Sequence, residues 1–270
     1  MFITELMQTI DTQIQDYTFN AYQALVTHNI NSIRLLVAMY FMFLGYQYLM
    51  ASKPVFNIPI LHQVLLVVFC YYTATHWSVF AILVYDLAVA LPDQLAVTLV
   101  SVVPNVPDQV SGIELLEYIW FSGLDIAATI WGAISISAIH QGLMALGVLI
   151  MTLFLVGYGL LVISLAKMIM AIGLSLAPLF IILFMFKQTQ RFSFGWLQVV
   201  LIAMLKQIII FAMIAMVYAI IYGSTEALLQ QETLDMMDVA SFLLLLFISS
   251  GLFLTASRVA ILIGTYHDKK

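Results

Sequence analysis

The chain has 270 residues, of which 64% are hydrophobic and 9% charged, with a mean hydropathy of +1.08. A soluble domain covers itself with roughly 25% charged residues, so a water-soluble globule is excluded and a multi-spanning membrane protein is expected. A net charge of −5 with nine basic residues excludes a nucleic-acid-gripping surface in one subunit, and the single cysteine, Cys70, excludes an internal disulfide or a cysteine-based metal cluster.

Residues 1–28 contain no Lys or Arg and disperse their apolar residues, unlike a signal peptide. Over residues 3–17 the spacing predicts a helix with Ile3, Leu6, Met7, Ile10, Ile14 and Tyr17 on one face. Glu5, Asp11 and Asp16 lie elsewhere on it. Interfacial lipid-binding helices carry Lys or Arg on the polar face, and this one has none. Its apolar face is therefore expected to lie on its own protein or to dock another chain.

Five stretches approach the ~20 helical residues needed to cross a ~30 Å hydrocarbon core: 32–50, 58–76, 142–165, 197–222 and 240–264. Two others are interrupted, 78–100 by Asp86, Pro92 and Asp93, and 168–186 by Pro178. Tyr46, Tyr48, Tyr71, Tyr72 and Trp77 fall where interfacial aromatic belts belong. Between Lys53 and Lys167 there is no basic residue, while six acids fall there. The positive-inside rule then places the 53–57 turn, the 187–191 turn and the HDKK tail in the cytoplasm. The N-terminus and the acidic 223–238 loop go outside.

Parity closes in two ways. In one, 168–186 dips into the membrane and returns with Pro178 at its bend, giving five spans and an external 77–141. In the other, 78–100 and 168–186 both cross, giving seven spans and an internal 101–141. The first is preferred, because a cytoplasmic 101–141 without Lys or Arg is unusual and Asp86 at mid-membrane costs ~3 kcal/mol. Irregular backbone at that depth requires protein or a water-filled cavity around it.

The expected fold is thus an all-α polytopic transmembrane helical bundle, five spans plus one re-entrant or kinked segment, with amphipathic periplasmic helices. Its parts are an N-terminal amphipathic helix at 1–30, two spans in 31–76, a central periplasmic region at 77–141, a transmembrane bundle at 142–265 and a tail at 266–270. The central region reads as two amphipathic helices flanking SVVPNVPDQVSG, with Ser111 and Glu114 at capping-box spacing. Beyond the cap, Leu115, Ile119, Ile126 and Ile130 form one face, and Glu114, Glu117 or Tyr118, and Asp125 another.

No catalytic constellation is present. His62-Gln63 and His140-Gln141 lack the rest of an HExxH zinc motif, Gly173-Leu174-Ser175-Leu176 lacks the final glycine of a rhomboid-like site, and Tyr85-Asp86 has no Gly-x-Gly-Asp partner. No phosphate-binding loop, cofactor motif or metal-ligand cluster occurs. What remains are the intramembrane charges Lys206, Lys167 and Asp86. Lys206 lies near the middle of its span, where fourteen Leu, Ile, Val and Phe residues contribute roughly 4–8 kcal/mol against ~3 for the lysine. The span still inserts, and Lys206 must pair within its bundle, snorkel, or face a hydrated pore or a neighbouring subunit. Arg34 and Arg258 are expected to anchor span ends.

A long apolar segment runs into GLSLAPLFIILF, then a basic turn KQTQRF, then an aromatic–Gly-Trp restart. This pattern over roughly 150–222 resembles the TrbL family, which supplies the polytopic inner-membrane subunit of type IV secretion systems, the sixth component of the VirB set. Gly173, Pro178, Lys187, Arg191 and Trp196 match the family pattern as structural or interface residues. The resemblance implies a homo-oligomer, with a five-fold ring expected, at the base of a stalk or pilus in a bacterial inner membrane. It implies contact with membrane lipid, with minor and major pilins and with arch-forming and scaffold subunits. DNA or protein substrate would meet it only in passing. The alternative is a secondary transporter or small-solute channel built on Lys206 and Asp86; transporters of that kind show two related halves, and none are visible here.

Overall fold

A computed structural model describes residues 2–51, 58–102, 110–132, 139–229 and 236–265. Among them every regular element is helical: α1 (Phe2–Ala51), α2 (Ile58–Thr75), α3 (Trp77–Phe80), a π-helical turn (Ala81–Tyr85), α4 (Asp86–Ser101), α5 (Gly112–Gly132), α6 (Ile139–Ser175), α7 (Ala177–Leu183), α8 (Gln190–Leu229) and α9 (Met236–Thr265). Phe2–Met50, Trp77–Ser101, His140–Ser175 and Gln190–Thr225 are long and apolar enough to cross a membrane, and Leu61–Thr75 and Met237–Phe253 are shorter apolar helices. The chain is an all-α polytopic bundle.

Two pairs of neighbouring stretches run on as continuous helices. The N-terminal helix and the first span are one helix of 50 residues. No proline and no glycine before Gly45 interrupts it, and several of its polar side chains bond back to the helix: Thr9, Thr18, Thr27 and Asn29 donate to the Glu5, Ile14, Gln23 and Leu25 carbonyls. Likewise 142–165 and the start of 168–186 belong to one 37-residue helix, α6. Of the re-entrant and kinked alternatives, the structure has the kink. Its irregular residue is Leu176 (φ −84°, ψ −1°), two positions before Pro178, which sits in the first turn of α7 and whose ring crowds the backbone on its N-terminal side. A separate crossing by 168–186 is overturned, since α7 has only 7 residues. The 78–100 stretch, expected to be interrupted, is helical throughout and takes up its irregularity in the π-helical turn before Asp86.

The chain forms two compact units. The first comprises 1–11, 90–167 and 202–270. Its centre is α5, whose start is a reciprocal capping box: the Ser111 N–H donates to Glu114 Oε2 (2.8 Å) and the Glu114 N–H donates to Ser111 Oγ (3.2 Å). The predicted face of Leu115, Ile119, Ile126 and Ile130 is buried, packed with Ile3 and Met7 of α1, Val148 and Leu155 of α6, Phe211 and Ile214 of α8, and Phe242 of α9. Tyr118 and Asp125 are exposed as expected, and Tyr118 packs edge-on against Tyr218. Glu117 corrects that reading, because it is buried. Helices α5 and α6 approach closely at Gly123, where a Cβ would lie 2.5 Å from Thr152 Oγ1.

The second unit comprises 12–89 and 168–201. Ile33 of α1, Val67, Cys70 and Ala74 of α2, and Ile182 and Met185 around α7 form its core. Tyr22 donates its hydroxyl to the Thr73 carbonyl (2.7 Å) in the last turn of α2 and stacks on Phe80. That bond satisfies an acceptor that the break at His76 removes from the helical ladder.

Candidate functional site: a buried lysine and a stapled hairpin

Lys167 lies on α6 in the first unit, with its side chain 9% exposed. A lysine there needs an anion, because an unpaired buried ammonium costs several kcal/mol. Both Asp11 carboxylate oxygens accept from its Nζ at 2.7 Å. Three residues back on α6, Ser164 Oγ donates to Met7 Sδ (3.7 Å). Thr4 donates its hydroxyl to Glu117 Oε2 on α5. Thr4, Met7 and Asp11 are spaced three and four apart, so one helical edge carries all three contacts. Ile3 and Met7 fill the adjoining core. The N-terminal helix therefore lies on its own protein, and its first turns are fastened by an ion pair, two side-chain hydrogen bonds and apolar packing. Leu6 and Tyr17, assigned to the buried face, are 43% and 55% exposed.

In the second unit the residues matched by the family pattern build a closed turn. The kink at Leu176 disturbs the carbonyl ladder at the end of α6, and Trp196 of α8 donates its indole N–H to the Gly173 carbonyl at 2.6 Å. The Trp196 ring stacks on Phe180 of α7 with centroids 5.8 Å apart and planes 9° from parallel. Ser193 Oγ donates to the Phe180 carbonyl (2.7 Å). Gly173 permits the close approach of α8, since a Cβ there would lie 3.1 Å from Val200 Cγ2. At the turn, Thr189 Oγ1 donates to the Leu183 carbonyl (2.7 Å) and Gln190 Nε2 to the Phe184 carbonyl (3.1 Å). Thr189 thus adds a second donor to the Leu183 carbonyl, which also accepts the Phe186 N–H, and Gln190 supplies one to the carbonyl of Phe184 at the end of α7. Pro178 is buried, while Lys187 and Arg191 are exposed.

Asp93 of α4 lies within electrostatic reach of Lys167 and Asp11, whereas among the described residues Lys206 and Asp86 make no ion pair or hydrogen bond with either constellation. Lys206 on α8 is half-buried and has no ion pair among the described residues. Asp86 is exposed at the first position of α4. Lys206 belongs to the first unit and Asp86 to the second. The side chain of Arg258 lies outside the described residues. Among the described residues no three His, Cys, Asp or Glu side chains gather where a metal ion could sit. Sequence reasoning missed the half-exposed Asp11 and the buried Glu117 as partners. The available signal was Lys167 itself, a cation in an apolar helix that demanded a carboxylate from elsewhere.

The family model described as "TrbL/VirB6 plasmid conjugal transfer protein" matches residues 37–256. No curated protein matches the chain.

Proposed function

The chain belongs to the TrbL/VirB6 family of plasmid conjugal transfer proteins, multi-pass membrane subunits of type IV secretion systems, and from that premise we propose that it forms the oligomeric inner-membrane base on which the stalk or pilus is assembled. In this reading copies of the chain form a closed ring, five-fold by family resemblance, past which DNA or protein substrate moves. The N-terminus and the 77–141 region face the periplasm; the turn containing Lys187 and Arg191 and the C-terminal tail face the cytoplasm.

The observation that supports this best is the N-terminal helix. Its first turns are held by Lys167, Ser164 and Glu117, yet Phe2, Leu6, Tyr17 and Phe19 remain 72%, 43%, 55% and 40% exposed. With no Lys or Arg before Arg34, this held surface suits a protein partner better than an anionic lipid surface. A pilin at the stalk base is the partner proposed. Gly173, Pro178 and Trp196 act structurally by closing the end of the α6–α8 hairpin, and no residue acts catalytically.

Deletion of the gene followed by complementation tests this. Wild-type chain should restore both surface pilus and substrate transfer, and pilin should copurify with it after mild detergent extraction. Full transfer without the chain, or its purification free of every secretion subunit from transferring cells, would overturn the proposal.

A further inference from the structure

In the first unit one buried ammonium answers to two carboxylates. Lys167 of α6 donates to both Asp11 oxygens of α1 at 2.7 Å. Asp93 of α4 also lies within electrostatic reach of Lys167 and of Asp11. The packing brings the three together. Met7 of α1, Ile163 of α6 and Ala96 of α4 are buried in the same core, and each charge stands about one helical turn from one of them. Asp11 follows Met7 by four positions, Lys167 follows Ile163 by four, and Asp93 precedes Ala96 by three.

These three charges do not balance. One ammonium cannot neutralise both carboxylates, and the two acids repel each other while each attracts the lysine. Among the described residues Lys167 gives its side-chain hydrogen bonds to Asp11 and none to Asp93. Asp93 is exposed, so its side chain has room to turn. The arrangement therefore holds a second, unused counter-ion for Lys167 on a different helix.

What Asp11 anchors is a short piece of chain. Of α1, only the part up to Asp11 belongs to the first unit. Thr4, Met7 and Asp11 reach α5 and α6, Ile3 and Met7 are its buried side chains, and Phe2, Glu5, Leu6, Gln8 and Thr9 are exposed. A helix end of about three turns opens at lower cost than a helix interior. Opening would strand the Lys167 ammonium at a cost of several kcal/mol unless another carboxylate took it over. We propose that the first turns of α1 are a releasable strap, and that Lys167 passes from Asp11 to Asp93 as the strap lifts. Lifted, Ile3 and Met7 join the already exposed Leu6 as one apolar face. The exchange belongs to the anchor itself and stands whichever protein meets that face.

The test is amide hydrogen exchange over residues 2–11 of the full chain in detergent, with residues 126–130 of α5 as the internal reference. Removing the competitor should tighten the strap: Asp93→Asn keeps the lysine on Asp11 and should slow exchange in 2–11 about fivefold. A merely structural Asp93 gives the opposite sign or no change. Asp11→Asn should speed exchange there about tenfold while the reference stays protected, because Asp93 then carries the ammonium. Adding Asp93→Asn to Asp11→Asn should lower the unfolding midpoint by more than the two single changes combined. In a Lys167→Met background the slowing by Asp93→Asn should shrink below about twofold, since there is no cation left to compete for. Should Asp93→Asn loosen α4 itself, read as faster exchange in 94–101, Asp93→Gln takes its place under the same criteria. Exchange in 2–11 that is unchanged or faster without the Asp93 carboxylate, or equal slowing with and without Lys167, would overturn the proposal.

Discussion

Trp196 donates its indole N–H to the carbonyl of Gly173 across 2.6 Å, closing a turn that a kink at Leu176 would otherwise leave with an open acceptor. The two residues are separated by 23 positions, and between them lie the buried proline, the short α7 and the basic turn. The stack of Trp196 on Phe180 makes the same ring both donor and lid.

Separating those two roles gives the first prediction. Trp196→Phe keeps an aromatic surface and removes the donor, so it should destabilise the chain by about 1–2 kcal/mol. Trp196→Ala loses the packing as well and should cost about 3–5 kcal/mol. Thermal unfolding in detergent, followed by near-ultraviolet circular dichroism, checks the order. Equal effects from both variants would mean that the hydrogen bond contributes nothing.

The Lys167–Asp11 pair predicts non-additivity. Asp11→Asn removes the carboxylate in direct contact with the buried ammonium and leaves it only the field of Asp93, so it should cost about 1–3 kcal/mol, less than a fully buried pair because the Asp11 side chain is 42% exposed. Lys167→Met in the same chain removes the stranded charge and should restore much of that loss. Limited proteolysis of the first turns of α1 reads it directly: faster cleavage in Asp11→Asn, slower again in the double variant.

A contrast between two glycines of the first unit tests helix spacing. Gly123→Ala would place a Cβ 2.5 Å from Thr152 Oγ1 and force α5 from α6, costing about 1–3 kcal/mol. At Gly159 the nearest atom, Leu116 Cδ2, is 3.4 Å away, so Gly159→Ala should be neutral or slightly stabilising. Unfolding midpoints of the two variants decide the matter.

The capping box at the head of α5 is a local device with a local consequence. Ser111→Ala removes the oxygen that accepts from the Glu114 N–H, and should cost about 0.5–2 kcal/mol. Amide exchange in the first turn of α5 should accelerate, while Ile126 and Ile130 at its other end stay protected.

What could be read along the chain was what short stretches decide for themselves. Ser111 and Glu114 are three residues apart, and Leu115, Ile119, Ile126 and Ile130 repeat on one helical face; both features were visible and both are present. The all-α bundle followed from apolar length alone. Lys167 and Asp11 could not be joined in advance, because 156 residues separate them and no local period connects their helices. Glu117 read as surface for the same reason, its partner Thr4 lying 113 residues away. The bend was legible from Pro178, and its irregular residue is Leu176, two positions before the proline in the first turn of α7. The continuity of α1 across residues 30 and 31 was not legible, because composition changes there while the backbone does not.

The central claim is that the held N-terminal helix presents its exposed face to a pilin at the base of the secretion apparatus. The most direct measurement places a photo-crosslinking residue at Leu6, which is 43% exposed, in cells actively transferring substrate. A pilin adduct is expected with the otherwise native chain, and it should fall together with transfer in Asp11→Asn, where the helix loses its ionic anchor. Adducts only to lipid or to the chain itself, in cells that transfer normally, would contradict the account.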